Sequence, residues 1–226
     1  MTRKTERVLI DASPDLRFQF LREGIDGIDA LIITHAHYDH YAGLGNLYRV
    51  IWDALPIVTH GAPNVLDAGT SIRVLATFPF RGRVRTSKAL EPFEVSGYAD
   101  FTLVPVHHPP METYGLVIRD EKTDTKVAIT GDTSRHFDER SFDEMRDADL
   151  LIADAFVPAE GDYNRFVKDR ISDDGMEFAE KHMTYEGALN LVEALEPDDF
   201  AFVHLSHYFQ EEHDELAEDG DVYVFE

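Results

Sequence analysis

One seven-residue stretch, Thr34-His35-Ala36-His37-Tyr38-Asp39-His40, constrains this chain more than any other. It directly follows the apolar run Ala30-Leu31-Ile32-Ile33, which is typical of a buried strand. Its imidazoles and carboxylate suit Zn²⁺, and also Mn²⁺ or Fe²⁺. Four such groups cannot easily share one tetrahedral ion, so two adjacent ions with further ligands from elsewhere are the simpler interpretation. The alternative is a solvated loop that is rich in histidine, but such loops rarely carry this density of ligand types.

The composition is that of a globular protein without cysteine. The 226 residues fit one domain, residues 1–226, and 43% of them are hydrophobic. No apolar run reaches the roughly 18 residues of a membrane span, and no apolar segment follows the basic N-terminal residues as in a secretory signal. The sequence therefore predicts a cytoplasmic protein with no membrane contact. Because cysteine is absent, any metal must be held by His, Asp and Glu.

The charge of the chain is strongly negative. Asp and Glu number 44 against 21 for Lys and Arg, which leaves a net charge of −23. Such a field repels nucleic acid and anionic membranes at low salt, so it disfavours a nucleic-acid partner. The acid excess resembles that of proteins from extreme halophiles, and the alternative is an ordinary acidic cytosolic protein.

Short apolar segments alternate with helical patterns along the chain. A strand at residues 8–10 precedes a short helix that Ser13 or Asp15 could cap and Gly24 could end. A late helix begins near Thr184 and carries apolar residues at helical spacing. Further strands are expected at residues 57–60, 101–106, 115–118, 127–130, 150–153 and 200–203. Strands mixed with covering helices predict a layered α/β sandwich.

Three of the later strands also end in ligand-type residues. They run into His107-His108, into Gly131-Asp132 and into His204-Leu205-Ser206-His207. Each one alone is a weak signal, because a polar residue after a strand is usually only a turn. Together with the first cluster they carry more weight, because strand ends in layered α/β proteins converge on one rim.

With these motifs in this order, the chain resembles the metallo-β-lactamase superfamily, whose signature is His-x-His-x-Asp-His followed by separate His, Asp and His ligands. The resemblance implies a four-layer αββα sandwich. The N-terminal sheet edge would be shortened, because relatives commonly begin with an extra β-hairpin that is not seen here. It also implies two divalent ions, Zn or Mn. The first ion would be held by His35, His37 and His108, the second by Asp39, His40 and His204, and Asp132 would bridge them.

Two of these choices rest on the family pattern. His108 is preferred over His107 because Tyr114-Gly115 follows His108 at the family spacing. His204 is preferred over His207 because His204 is followed by an apolar residue and Ser, as in the family. The roles of His107 and His207 stay open between supporting groups of the site and polar loop residues.

Other segments resemble the branch that contains phosphoribosyl 1,2-cyclic phosphate phosphodiesterase and ribonuclease Z. They are Ile10-Asp11-Ala12-Ser13-Pro14-Asp15, Tyr38 with Tyr41, and Lys181-His182-Met183-Thr184. By this resemblance His182 assists at the scissile phosphate, and Asp39 is catalytic as well as a ligand. The alternative for His182 is a polar residue at a helix N-terminus that is exposed to water. Asp11 is expected to brace the ligand loop through hydrogen bonds.

The function implied is a binuclear metal-dependent phosphodiesterase that acts on a small cyclic or nucleotide-like phosphodiester, with a water activated between the ions as nucleophile. The alternatives are a thioester, lactone or β-lactam hydrolase of the same fold, a tRNA 3′ processing endonuclease, or a non-catalytic metal-binding member. Arg81, Arg83 and Arg85 share one face of an expected strand and could guide phosphate or form a solvated basic face. The sequence leaves a homodimer open.

Overall fold

The computed structural model describes residues 7–50, 58–62, 83–95, 99–157, 178–206 and 213–225. Each of these ranges except the last contains a helix or a strand. Helices and strands are numbered below in chain order within these ranges. Arg81 and His207 lie outside them, as does the side chain of Arg83. Arg85 is exposed.

The first sheet is parallel and lies near the N-terminal end of the described chain. Its strands are hydrogen-bonded in the order β1-β2-β3-β4. They comprise β1 (Val8–Ile10), β2 (Ala30–Ile32), β3 (Val58–Gly61) and β4 (Arg83–Thr86). Every residue of β2 is buried, as expected of a parallel strand that is covered on both faces.

The second sheet is mixed and has the strand order β10-β9-β8-β7-β6-β5. Its strands are β5 (Phe93–Val95), β6 (Ala99–His108), β7 (Met111–Asp120), β8 (Thr125–Ile129), β9 (Leu150–Asp154) and β10 (Phe200–Val203). Strand β7 is antiparallel to both β6 and β8, while β8, β9 and β10 are mutually parallel. Strands β6, β8, β9 and β10 therefore run in one direction, and their C-terminal ends share one edge of the sheet.

Six helices lie within the described ranges, and four of them pack on the sheets. The six are α1 (Leu16–Arg22), α2 (Tyr38–Tyr41), α3 (Leu44–Val50), α4 (Glu139–Met145), α5 (Phe178–Lys181) and α6 (Tyr185–Leu195). One buried cluster joins α1 and α3 to β2 and to one face of the second sheet, where Leu103 and Leu116 lie opposite each other. The other joins α4 and α6 to the reverse face, around Val104 and Val117. This order of layers confirms the predicted αββα sandwich.

The late helix follows its sequence pattern closely. Ala188, Leu191 and Leu195 lie three and four positions apart and are all buried, because this spacing places them on one face of a helix. Burying a leucine side chain stabilises the fold by about 1.5–3 kcal/mol. The Thr184 side chain caps α6 by accepting a hydrogen bond from the Gly187 amide at 2.9 Å.

The cap predicted for the first helix is wrong. Asp15 is the residue before α1, but its side chain accepts no capping hydrogen bond. The Ser13 hydroxyl instead donates to Gln19 Oε1 at 2.9 Å, so it is turned away from the first amides of the helix. Within the described ranges, no helix has the length and apolarity needed to cross a bilayer.

Candidate metal centre

The predicted ligands reach the site from the ends of several strands. The loop after β2 carries His35 and His37 into α2, the short helix that contains Asp39 and His40, while His108 is the last residue of β6. Asp132 follows β8 through Gly131, whose φ of 61° is easily adopted by glycine. His204 follows β10 and itself has a φ of 59°, which is uncommon for a residue with a side chain and marks a constrained position.

Three imidazoles converge in the first ligand group, which consists of His35, His37, His108 and Asp132. His37 Nδ1 lies 2.9 Å from His35 Nε2 and 3.0 Å from His108 Nε2. The Asp132 carboxylate lies 3.6 Å from the same atom of His35 and 3.9 Å from that of His108. In a tetrahedral zinc site with bonds of about 2.05 Å, two ligand atoms are about 3.3 Å apart. The spacing therefore fits a small divalent ion.

Hydrogen bonds to residues outside the first ligand group determine which ring nitrogen of His35 and of His108 faces the other ligands. The Thr34 hydroxyl donates its one hydrogen to Asp11 Oδ2 at 2.7 Å, so it accepts from His35 Nδ1 at 3.1 Å. His108 Nδ1 donates to the Lys181 carbonyl at 2.8 Å. Both Nε2 atoms therefore present lone pairs to His37 Nδ1, which can donate to only one of them. A metal ion removes this conflict, as expected for ligands held by outer hydrogen bonds.

The second ligand group consists of Asp39, His40, Asp132 and His204. His40 Nε2 lies 3.2 Å from Asp132 Oδ2 and 3.4 Å from Asp39 Oδ2. His204 lies between the same carboxylates, with Nε2 at 3.6 Å from Asp39 and Nδ1 at 3.4 Å from Asp132 Oδ1. Asp132 is thus the one side chain that both groups share, and it is almost fully buried.

Asp11 braces this loop, as predicted. Its carboxylate accepts hydrogen bonds from the Thr34 amide at 2.8 Å and from His40 Nδ1 at 2.7 Å. The proton of His40 is therefore on Nδ1 when that ring is neutral, and Nε2 faces the two carboxylates of the group. Asp11 itself has a φ of 58°, a second constrained backbone position beside the ligands.

The two groups differ in electrostatic character. Burial lowers the pKa of His35 to about 2 and, although the Lys181 carbonyl opposes it, that of His108 to about 4. Burial would also lower the pKa of His40, but the carboxylates around that ring outweigh it and raise the pKa to about 12. The same balance raises the pKa of His204 to about 10, chiefly through Asp154 and Asp39. The imidazoles of the first group are thus neutral, whereas the carboxylates of the second group favour a positive charge between them.

The donor chemistry also fits a metal. His40 Nε2 and His204 Nδ1 are buried and, within the described ranges, have no hydrogen-bond partner. A buried unsatisfied nitrogen costs about 1–3 kcal/mol, and coordination to a cation would offset that cost. Imidazole and carboxylate donors together suit Zn²⁺ or Mn²⁺. The structure therefore brings all seven predicted ligands together in two groups that share Asp132.

One important residue of the site was not predicted. Asp154, the last residue of β9, is 1% exposed, and its Oδ2 lies 3.0 Å from His182 Nδ1. The amides of Thr133 and Phe156 donate to the same carboxylate at 3.0 and 2.9 Å. Burial raises the pKa of Asp154, but the neighbouring His182 and His204 outweigh it and hold the pKa below its usual range. The signal was in the sequence, because β9 ends in an acid beside the strand that leads to Asp132.

The alternative that His182 is a water-exposed residue at a helix N-terminus is wrong. It lies between α5 and α6 and is only 8% exposed. Its ring centroid is 4.5 Å from that of His108 and 5.1 Å from that of His204, one ring from each ligand group. Phe156 packs on it at 4.7 Å. His182 is thus held beside both groups.

A family model for the Beta-lactamase superfamily domain matches residues 6–205. The chain belongs to this superfamily. Ribonuclease Z of Bradyrhizobium diazoefficiens is 32% identical over 126 residues, which cover 50% of this chain and 40% of that protein. The chain spans only 15% to 50% of the length of the curated relatives that it matches.

Solved structures of the superfamily agree with the fold. A diphosphatase from the PhnP family is 28% identical with a TM-score of 0.67, covering 97% of this chain and 80% of that one. Human tRNase Z, short form, is 20% identical with a TM-score of 0.72, covering 100% and 91%. The predicted superfamily, and its ribonuclease Z and PhnP branch, are confirmed.

Proposed function

We propose that this protein is a binuclear metal-dependent phosphodiesterase that acts on a small cyclic or nucleotide-like phosphodiester. The observation that carries the proposal is the position of Asp132, whose carboxylate is shared by two ligand groups, with His182 beside both. A site built to hold one structural ion has no need of a shared carboxylate or of a buried histidine outside the ligand set.

Two divalent ions, Zn²⁺ or Mn²⁺, would be held by the two ligand groups, with Asp132 between them. When bound, such ions supply a water of lowered pKa and offset charge on phosphoryl oxygens. The first group requires no change of protonation to bind its ion, because its imidazoles are already neutral. Asp39, whose side chain is 56% exposed, is the ligand that solvent and substrate reach.

His182 would act on the leaving group. Because its Nδ1 is engaged by Asp154, its Nε2 is the nitrogen available to a substrate. A protonated His182 can donate from Nε2 to the departing alkoxide, and the Asp154 carboxylate holds the ring in place. Ordered general acids of this kind contribute about 10²–10⁴-fold to a rate.

Phosphate chemistry is favoured over the other reactions of this fold. The named relatives include a ribonuclease and a diphosphatase, which both cleave bonds to phosphorus. The net charge of −23 favours a small substrate over tRNA, because a polyanion would be repelled except at high salt. Thioester hydrolysis needs no acid at the position of His182, because a thiolate leaves without being protonated.

The test compares substrates and one pair of variants. Protein purified without chelator is analysed for metal and assayed with an aryl phosphodiester, a thioester, a lactone and a tRNA precursor. We expect two ions per chain and cleavage of the phosphodiester. Asp132→Asn should lose an ion and at least about 10²-fold in kcat. Asp143→Asn, which removes an exposed carboxylate outside the ligand groups, should change neither.

Three results would contradict the proposal. They are one ion or none in protein that still folds, cleavage of thioester, lactone or tRNA with no phosphodiester cleavage, or unchanged activity in Asp132→Asn. The first of these would favour a non-catalytic metal-binding member.

A further inference from the structure

A second polar cluster adjoins the metal centre and has no part in it. It consists of His107, Ser134 and His136. His107 directly precedes the ligand His108 in β6, and Ser134 lies two residues after Asp132. Both histidines are exposed, whereas Ser134 is completely buried. The cluster therefore joins the end of β6, which carries His108, to the loop that carries Asp132, and it opens to solvent.

The imidazole of His107 is firmly anchored. Its Nδ1 lies 2.8 Å from Ser134 Oγ, and its carbonyl accepts from the Ser134 amide at 2.8 Å. Its own amide donates to Thr133 Oγ1 at 3.2 Å. The His136 ring packs edge-on against it, with 5.4 Å between centroids. The backbone bonds could be made by any residue here, but an exposed imidazole that only needed solvation would require neither the bond to Ser134 Oγ nor the contact with His136.

These contacts also determine where the hydrogen of the ring lies. Ser134 Oγ accepts from the His136 amide at 3.4 Å and, being buried, cannot donate to water. In the part of the chain that the structure describes, the only acceptor within hydrogen-bond distance of this hydroxyl is His107 Nδ1. The hydroxyl must therefore donate to Nδ1, because a buried hydroxyl without an acceptor is costly. The hydrogen of His107 is then on Nε2, at the exposed edge of the ring.

We propose that His107 is a substrate-positioning residue whose outward Nε2–H donates a hydrogen bond to the part of a nucleotide-like ester that is distant from the scissile phosphate. This rests on the proposed function. Because His107 and His108 are consecutive residues of β6, their side chains point to opposite faces of the sheet and lie on either side of the strand end. Adjacent Cα atoms are about 3.8 Å apart, so the two Nε2 atoms are within about 13 Å of each other around that end. That is the reach of one nucleoside, so a substrate with its phosphate on the ions can extend to His107. The alternative is that His107 only holds the loop of Asp132 in place, through its bonds to Ser134.

Two substitutions separate these roles. In His107→Asn the side-chain oxygen can still accept from Ser134, so the brace is kept while the outward donor is lost. In His107→Gln the amide nitrogen falls near the position of Nε2, so the outward donor is kept. Each is assayed as the metal-loaded protein with a long ester, thymidine 5′-(p-nitrophenyl phosphate), and a short one, methyl p-nitrophenyl phosphate.

For His107→Asn we expect KM for the long ester to rise about tenfold, the worth of one hydrogen bond to a substrate. Its kcat, its metal content and its KM for the short ester should stay unchanged. His107→Gln should keep KM for the long ester within about threefold of the original protein. Unchanged kinetics in His107→Asn, or an equal loss with both esters, would overturn the proposal and assign the residue to bracing.

A spectroscopic measurement decides the matter even if neither ester is cleaved, in which case the proposed function itself fails. Long-range ¹⁵N–¹H correlation spectra of the zinc-loaded protein, with His107→Asn used to assign the signal, should show His107 with its hydrogen on Nε2. Addition of thymidine 5′-monophosphate should shift that signal. A hydrogen on Nδ1, or a signal that the nucleotide does not move, would overturn the inference.

Discussion

The substitution Asp11→Asn tests how the ligand loop is held. Asp11 accepts three hydrogen bonds, from the amide and the hydroxyl of Thr34 and from His40 Nδ1, at 2.8, 2.7 and 2.7 Å. Its φ of 58° is a conformation that asparagine adopts as readily as aspartate. The substitution therefore changes charge and acceptor number while it leaves the backbone unstrained.

The expected magnitude follows from those contacts. An amide offers one acceptor oxygen and an NH₂ group, so at least one of the three donors loses its acceptor and meets another donor. A hydrogen bond to a charged group contributes about 1.5–3 kcal/mol. Removing an outer partner of a metal ligand costs about 10–100-fold in metal affinity, which is about 1.4–2.8 kcal/mol, so the two figures agree. We expect the ion of the second group to be weakened most, because His40 contacts Asp11 directly and His35 only through Thr34.

The assay is a zinc titration of metal-free protein in competition with a chromophoric chelator. Asp15→Asn is the matched control, because Asp15 is exposed and its side chain makes no capping hydrogen bond. Circular dichroism shows whether both variants fold. Two ions bound by Asp11→Asn with the affinity of the original protein would refute the reasoning, as would an equal loss in the control.

Three further predictions concern protons, the general acid and packing. Zinc binding at pH 7 is measured by calorimetric titration in buffers of different ionisation enthalpy, which reports the number of protons released. The second group should release about two protons, because the raised pKa values of His40 and His204 keep both rings protonated until the ion binds. The first group, already neutral, should release none, and equal release would contradict this. Asp154→Asn, assayed at saturating zinc because Asp154 also lies 3.5 Å from the predicted ligand His204, should lower kcat by about 10²-fold, and a normal kcat would remove the proposed general acid. Gly115→Ala should lower the free energy of unfolding in urea by about 1–3 kcal/mol, because a Cβ there would lie 2.6 Å from a carbonyl oxygen of β8. Gly27→Ala, with nothing within 4 Å, should have little effect and serves as its control.

Much of the fold could be predicted because the apolar runs are short, bounded and separated by clear turns. The strands around Phe101, Leu116 and Leu151 were found at their expected places, and the late helix begins at Tyr185, next to its predicted start near Thr184. The prediction of the α1 cap failed because two possible hydrogen-bond partners compete for one side chain. Ser13 bonds to a side chain rather than to the first amides of α1, and nothing in the sequence decides between these partners. The single-domain organisation, the cytoplasmic location and the homodimer stay predictions.

The amino-acid sequence by itself determined the kinds of donor that this site can use, the absence of thiolates, and the order of the ligand motifs that identifies the superfamily. These properties are read from short motifs and from their order along the chain. Only the tertiary structure decided that Asp154 holds His182, and which nitrogen of each ring faces the centre. His108, for example, takes its orientation from a carbonyl 73 residues away. A hydrogen bond of that kind exists only once α5 lies against the C-terminal end of β6, so no local pattern records it.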